Sequence, residues 1–432
     1  MRWGFDWLKA ARKLAHILLI ELPGGDDTDI IDATLSLGHE FTFLTGDLNH
    51  YKDRPDVATR LALARGIVEV RPFDFASIEQ RVLALDAVAH IDAVLCLVDT
   101  RMIEASRLAH KLSLRFLNPE SACLLRDKFS VRKRLQQHGI EQPRFRLATR
   151  NDELRLGVEA IGLPALIKPC DGYGSQNIVL LRDEIDLSPL LSPLDDFLPQ
   201  RLDYGLGVEA NDRLMVEQFI EGPVVGCDTI TVNGRHHFLG INEKVFFAPP
   251  SFAIRGGCFP SDRFDEDRIR DYVFRVLNAV GFDWGMAHVE LVITPEGPLL
   301  VEVNPRLVGA KIPRLLNMAF ERSIHTDLIA LHLGQLQKID FSPTQFAVSR
   351  WFSSPQYGVL KKLTLPAIQD GRIRCVEIVK KEGTPIRPPF NNGDRLGYVM
   401  VAAKERASAE ALAEDFVQRI ELDVETEPPA KT

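Results

Sequence analysis

The chain has 432 residues, 45% of them hydrophobic and 26% charged, with a net charge of −8. That length allows two to four domains with ample core, and the composition is that of a soluble globular protein. The acidic balance without a basic block excludes a nucleic-acid partner. The six cysteines, at 96, 123, 170, 227, 258 and 375, lie far apart with no CxxC pair, which excludes a zinc site or a disulfide framework and fits a reducing, cytoplasmic setting.

The first predicted strand, "HILLIEL" at 16–22, is far too short to span a bilayer, so no membrane partner is expected. Residues 1–13 are not followed by the long apolar stretch of a signal peptide. "PGGDD" opens a helix near 27–37, and "EFTFLTGD" is a second strand. "RGIVEVRPFD" and "IDAVLCLVDT" are two more, separated by the helical "FASIEQRVLALDAVAH". Strands alternating with helices imply a parallel α/β domain over residues 1–120. "PGGDD" is not GxGxxG, so a nicotinamide site is not expected.

From 119 the pattern changes. "PESACLLRDKFSVRKRLQQHGI" reads as a helix pair stopped by Gly139. "RFRLAT", the helical "NDELRLGVEAIG", "PALIKP", the loop "CDGYGSQNI" and "IVLL" follow. Lys168 at the end of its strand reaches phosphate oxygens as a point charge, and Gly172, Gly174 and Ser175 lay backbone N–H groups over phosphates. A plain hairpin loop would look the same, and Lys128 taken alone is a solvated helix lysine. "RLMVEQFIEG" is a strand whose last residues, Glu217, Gln218, Phe219 and Ile220, form an edge segment able to meet adenine. "CDTITVNGRHHFLGINEKV" is a hairpin about Asn233-Gly234. Its Glu243–Lys244 pair either binds a substrate amine or a phosphate, or is a strand-end charged pair. In "FFAPPSFAIRGGCFPSD", Arg255 in a Gly-flanked loop either meets a substrate carboxylate or is solvated. That segment and the loop 171–177 are lid candidates. A helix over 265–281 comes next.

The stretch "GMAHVELVITPEGPLLVEVNPRLVGA", residues 285–310, carries the most chemistry. Two strands, 285–294 and 298–304, flank a three-residue loop, Pro295, Glu296 and Gly297. Pairing Thr294 with Pro298 sets Glu290 opposite Glu302 and His288 opposite Asn304, with Leu291 against Val301 on the core face. Opposed carboxylates repel and need neutralising. A salt bridge to Lys or Arg would serve, as would a hard divalent cation with Asn304 adding an oxygen. Arg306, just past the turn at Pro305, suits a phosphoryl group in transit beside a metal. Helices are predicted across 307–336. From 345 to 425 a separate α+β unit holds "RCVEIVKKEGTPI", "RLGYVMVAAKE" and a helix at 407–420. "ETEPPAKT" is a disordered tail.

The order of these elements resembles the ATP-grasp superfamily over roughly residues 110–340. Within it the chain looks like a carboxylate–amine ligase, most like the L-amino-acid (dipeptide) ligase group. The resemblance implies an α/β and α+β architecture in three domains: an N-terminal parallel α/β domain (1–120), a two-lobed ATP-grasp domain (121–344) and a C-terminal α+β lid domain (345–432). It implies that Lys128 and Lys168 contact the phosphates of ATP, that Glu217 to Ile220 hold adenine, and that Glu290, Glu302 and Asn304 bind Mg²⁺ or Mn²⁺. Arg306 would stabilise the transferring phosphoryl group and the resulting acyl-phosphate. Many relatives place a ribose-binding Glu where this chain has Val224, so Glu221 or Asp228 would have to substitute. The expected partners are a small carboxylate and a small amine, both amino acids, with a homodimer as the assembly. A biotin-carboxylase-like enzyme, a formate-activating purine-pathway ligase and a non-catalytic ATP sensor are the alternatives. Gly309 and Ala310 would border the substrate pocket, or else serve close helix packing.

Overall fold

The computed structural model describes residues 14–25, 27–172, 178–182, 213–248, 253–309, 311–336 and 339–426. Gly174, Ser175, Ala310 and most of the expected tail lie outside the described residues.

Strand β1 (His16–Ile20) is buried along its whole length. It pairs in parallel with β2 (Glu40–Thr45) and β4 (Ala93–Cys96), and β2 pairs in parallel with β3 (Gly66–Glu69). Helices cover such strands on both faces, which is why "HILLI" and "AVLC" are unbroken apolar runs. The strand order β3-β2-β1-β4 reverses between β1 and β4. Loops leaving strand ends at such a point face a crevice. Asp99 stands in the turn after β4.

A small antiparallel sheet follows, from β5 (Phe145–Ala148), β6 (Ala165–Pro169), β7 (Val179–Leu181) and β8 (Leu214–Gln218), in the order β5-β8-β6-β7. β8 is therefore an interior strand. Glu217 is opposed by Phe145 on one side and Leu166 on the other, so it is not in the edge segment expected from sequence. The projecting part begins two residues later, past the end of β8, with Phe219 and Ile220.

The largest sheet has eight strands in the order β13-β12-β9-β10-β11-β14-β18-β16. These are β9 (Val224–Val232), β10 (Arg235–Phe246), β11 (Ile254–Phe259), β12 (Gly285–Thr294), β13 (Gly297–Asn304), β14 (Phe346–Ser353), β16 (Ile373–Ile378) and β18 (Arg395–Ala403). The sheet runs without a break across residue 345. β15 (Gly358–Thr364), β17 (Pro385–Ile386) and β19 (Glu421–Glu425) make a three-stranded sheet beside it. Asn233 and Gly234 both have positive φ, as the tight turn between β9 and β10 requires.

β11 overturns one expectation. "IRGGCF" looks like a loop because of its glycines, yet it is a strand between β10 and β14, so this part of the segment is no lid. A Cβ at Gly256 would lie 2.1 Å from the Ser349 carbonyl oxygen, and one at Gly257 2.3 Å from that of Glu243. The glycines are there to let neighbouring backbones close in.

The β12–β13 hairpin corrects a second. Thr294 pairs with Gly297, so the loop has two residues, Pro295 and Glu296. Leu291 then meets Leu300 and not Val301. The register shifts between Leu291 and Glu290, with Val301 as the extra residue of a β-bulge, and Glu290 faces Glu302 and His288 faces Asn304 after all. The helix Glu266–Ala279 packs Ile269, Val273, Val276 and Leu277 into the core beneath this hairpin.

Candidate active site

A cleft of about 420 Å³ separates the small sheet from the large one. Lys168 and Glu217 border it from the small sheet; Lys244, Glu290, Glu302 and Asn304 border it from the large one.

On the large sheet the opposed carboxylates each have a lysine. Lys244 Nζ lies 2.6 Å from Glu290 Oε1, and Lys128 Nζ lies 3.0 Å from Glu302 Oε2. Lys128 is the first residue of the helix Lys128–Gln137, and its ammonium also donates to the Gly172 carbonyl. Gly172 thus gives its carbonyl to Lys128, and its N–H, expected over phosphates, donates to the Pro169 carbonyl oxygen at 3.5 Å. Asn304 Nδ2 donates to Glu302 Oε1 at 3.3 Å. Behind Glu290, His288 Nδ1 is 3.0 Å from Asp228 Oδ1 and its Nε2 is 3.5 Å from Glu290 Oε1. Burial opposes the imidazolium, but Asp228 and Glu290 outweigh it and push His288 up to about 9. Burial likewise opposes ionisation of Glu290, yet Lys244 and His288 hold its carboxyl well below the usual range. Glu302 is shifted down by Lys128 against both burial and the repulsion of Glu290.

On the small sheet the balance is reversed. Glu217 is buried between two cations, Arg132 and Lys168. Burial raises its carboxyl pKa, but the two cations more than reverse that. Lys168 is held below its ordinary value by burial, with Arg132 and Lys128 adding to the effect and Glu217 opposing it. This end of the cleft carries an excess positive charge suited to an anion.

Arg306 points back to the N-terminal sheet. Its Nε donates to Asp99 Oδ2 at 2.8 Å and its Nη1 to the Leu307 carbonyl at 3.0 Å. Asp99 Oδ1 is buried without a hydrogen-bond partner among the described residues.

Phe219, Ile220 and Val224 line the cleft, as do Gln218 and Gly309. A Cβ on Gly309 would sit 3.8 Å from Arg306 Nη1, an ordinary contact. Glu221 is exposed beyond the strand end. Asp228 is unsuited to a ribose. It is buried, and Asn242 and His288 occupy its two oxygens.

Glu243 and Lys244 are not a pair. They alternate across β10, so Lys244 enters the cleft while Glu243 accepts from Arg406 Nη1 at 2.6 Å on the opposite face. Arg255 is also turned away, with Nη1 donating to Glu414 Oε1 at 2.9 Å on the helix Arg406–Gln418. Of the three strand residues expected to meet substrate, Glu243 and Arg255 face away from the cleft and Lys244 stays within it, because a strand side chain has only two directions.

The donor set Glu290, Glu302 and Asn304 fits a hard cation, since all three offer oxygen. Among the described residues no group of three His, Cys, Asp or Glu could hold a metal alone. Two carboxylates and an amide leave positions for water or phosphate oxygens, as Mg²⁺ prefers.

Sequence reasoning missed Arg132 and Asp99. Arg132 stands four residues after Lys128, one turn along the same helix face, a spacing that could have revealed it. Asp99 had a signal too, as the acid at a strand end beside the sheet's switch point.

Comparison with known proteins agrees with this geometry. Residues 125–310 match the ATP-grasp domain, and residues 350–425 match the L-amino acid ligase C-terminal domain 2. Uncharacterized protein y4rH of Sinorhizobium fredii is 30% identical over 336 residues, 74% of this chain and 65% of that protein. The L-arginine-specific L-amino acid ligase of Bacillus subtilis is 24% identical over 251 residues, 57% of this chain and 58% of that one. The crystal structure of L-amino acid ligase from Bacillus licheniformis matches with a TM-score of 0.78 at 19% identity, covering 95% of this chain and 99% of that one. Residues 125–310 are thus an ATP-grasp domain. The segment that follows it is similar to the C-terminal domain of L-amino acid ligases. The match spans about three fifths of the length of y4rH, the L-arginine-specific ligase and a dapdiamide A synthase, and less of other curated relatives. Among the described residues no helix is long and apolar enough to cross a membrane.

Proposed function

We propose that this protein is an ATP-dependent carboxylate–amine ligase that joins two amino acids through an acyl-phosphate and releases ADP and phosphate. The observation that carries the reading is the opposed Glu290–Glu302 pair with Arg306 beside it, across a cleft from Lys168.

A carboxylate is a poor electrophile because oxide would have to leave. Transfer of the γ-phosphoryl group of ATP to it gives an acyl-phosphate, and attack by a neutral amine then forms the amide and expels phosphate. Such a reaction needs positioning and charge neutralisation more than covalent help. Lys168 and Lys128 would hold phosphate oxygens, and Phe219, Ile220 and Val224 would pack the adenine. Glu290, Glu302 and Asn304 would hold Mg²⁺, which when bound neutralises charge on the phosphates. Arg306, oriented by Asp99, would face the phosphoryl group in transit. The C-terminal match over 350–425 supports an amino-acid ligase over a carboxylase or a formate-activating enzyme.

Beyond Arg306 the cleft is lined by Phe246, Ile254, Val308 and Ile312. Its acidic residues, Glu217, Glu290 and Glu302, already have cationic partners. This supports an apolar side chain on at least one substrate. The test is a phosphate-release screen over pairs of amino acids, with a parallel pyrophosphate assay. ADP and phosphate should appear with pairs containing an apolar residue such as Leu, Met or Phe. Pyrophosphate as the product would overturn the acyl-phosphate reading.

A further inference from the structure

The bulge at Val301 decides which way Glu302 points. From the turn up to Leu291↔Leu300 the two strands pair regularly. Continued without a bulge, that register would set Val301 opposite Glu290 and send Glu302 to the core face, opposite Val289. The extra residue moves Glu302 onto the cleft face, across from Glu290.

A bulge frees backbone carbonyls from the ladder, and buried ones need donors. Arg132 supplies them. Its Nη2 lies 2.7 Å from the Leu300 carbonyl oxygen and 3.1 Å from that of Val301. The same nitrogen reaches Glu217, and the side chain is 2% exposed. One guanidinium thus joins the bulge in the large sheet to the carboxylate that pairs with Lys168 in the small one.

We propose that Arg132 is a positioning residue that pins the Val301 bulge and so keeps Glu302 facing Glu290. The inference rests on the reading of those two carboxylates as the metal-holding pair. It makes a specific claim about a deletion. Removing Val301 would let β12 and β13 pair regularly along their length with Glu302 still opposite Glu290, and the pin would no longer be needed.

The test uses the full chain as wild type, Arg132→Lys, Arg132→Met, and Arg132→Met with Val301 deleted. Mn²⁺ binding is followed with ADP present by the spectroscopic signal of free Mn²⁺. Amide hydrogen exchange is followed over residues 298–304, and thermal unfolding checks that each variant is folded. Arg132→Met should weaken Mn²⁺ binding by roughly 10–100-fold, the usual range for a residue supporting a metal ligand, and speed exchange across the bulge. Arg132→Lys, which keeps the charge beside Glu217 but lacks the planar fork, should fall between wild type and Arg132→Met. Deleting Val301 should restore Mn²⁺ binding to the Met variant. Unchanged Mn²⁺ binding and exchange in Arg132→Met would overturn the proposal, as would a folded deletion variant without recovery. If wild type itself binds no Mn²⁺, the metal-pair reading fails, and hydrogen exchange alone decides whether Arg132 pins the bulge.

Discussion

The two sides of the cleft treat a buried carboxylate in opposite ways. On the small sheet, Glu217 is enclosed by Arg132 and Lys168, two cations on one acid. On the large sheet, Glu302 has one lysine and Glu290 has a lysine with His288 behind it, and both carboxylates remain about one-fifth exposed where Glu217 is enclosed. The difference separates a fixed part from an exchangeable one. A carboxylate fully enclosed by charge partners holds neighbours in place, and removing it leaves buried charges unpaired. Glu302 has one lysine partner beside the cleft, and on the proposed reading it would trade that partner for a cation while the lysine moves to a phosphate.

The sharpest break in this comparison is Glu302→Gln. It should leave the fold intact, because Glu302 lies on the polar face of β13, but remove charge stabilisation worth several kcal/mol, a loss on the order of 10³-fold in kcat. Near-normal turnover across a range of Mg²⁺ concentrations would remove Glu302 from the site.

Glu217→Ala should do the reverse. Leaving Arg132 and Lys168 buried without their anion should cost about 3–5 kcal/mol of stability. Denaturant unfolding checks this, with Glu302→Ala, which frees only Lys128, as the partner experiment; equal losses from both would erase the distinction between the two sides.

The same contrast recurs in two buried histidines. His288, against Asp228 and Glu290, is pushed up to about 9. His332 has a carbonyl partner instead, that of Arg115 at 3.0 Å, and burial pushes it down to about 4. Its folded value lies below its unfolded one, so the unfolded chain takes up the proton first as pH falls. The stability it contributes is full above the unfolded value of about 6.5 and is lost progressively towards pH 4, in all about 3 kcal/mol. Unfolding free energies of wild type and His332→Gln at a series of pH values should diverge in slope over that window. Parallel slopes would mean that His332 is solvated in the folded protein.

The smallest effect is expected at Gly309, on the exchangeable side. Alanine there meets Arg306 at an ordinary distance and should be nearly neutral. Gly309→Leu should narrow the cleft and penalise bulky amino acids by roughly 1–3 kcal/mol in kcat/KM, sparing Gly and Ala. Equal losses for large and small substrates would place the substrate elsewhere.

Much of this molecule could be read from local pattern. "HILLI", "EFTFLT" and "AVLC" announce buried parallel strands, Asn233-Gly234 a tight hairpin, and Gly139 a helix stop. The carboxylates of "VELVITPEGPLLVEVN" were visible because acids in the middle of apolar strands are conspicuous. Other features were hidden for a physical reason. A strand's side-chain direction depends on which residue it pairs with, and a single inserted residue reverses it. Counting from the turn with a three-residue loop and no bulge reached the correct Glu290–Glu302 pair, because the extra loop residue and the missing bulge cancel.

What the sequence determined by itself was the kind and order of elements and the residue types able to hold phosphate and metal. These follow from periodicity and turn chemistry, which act over a few neighbouring residues. The tertiary structure decided the partners. Asp99 reaches Arg306 from 207 positions away, Arg132 reaches Glu217 across 85 and Val301 across 169, and Arg255 turns to Glu414 across 159. No local rule fixes such contacts, because they depend on which sheets pack together and which face each strand shows to the cleft.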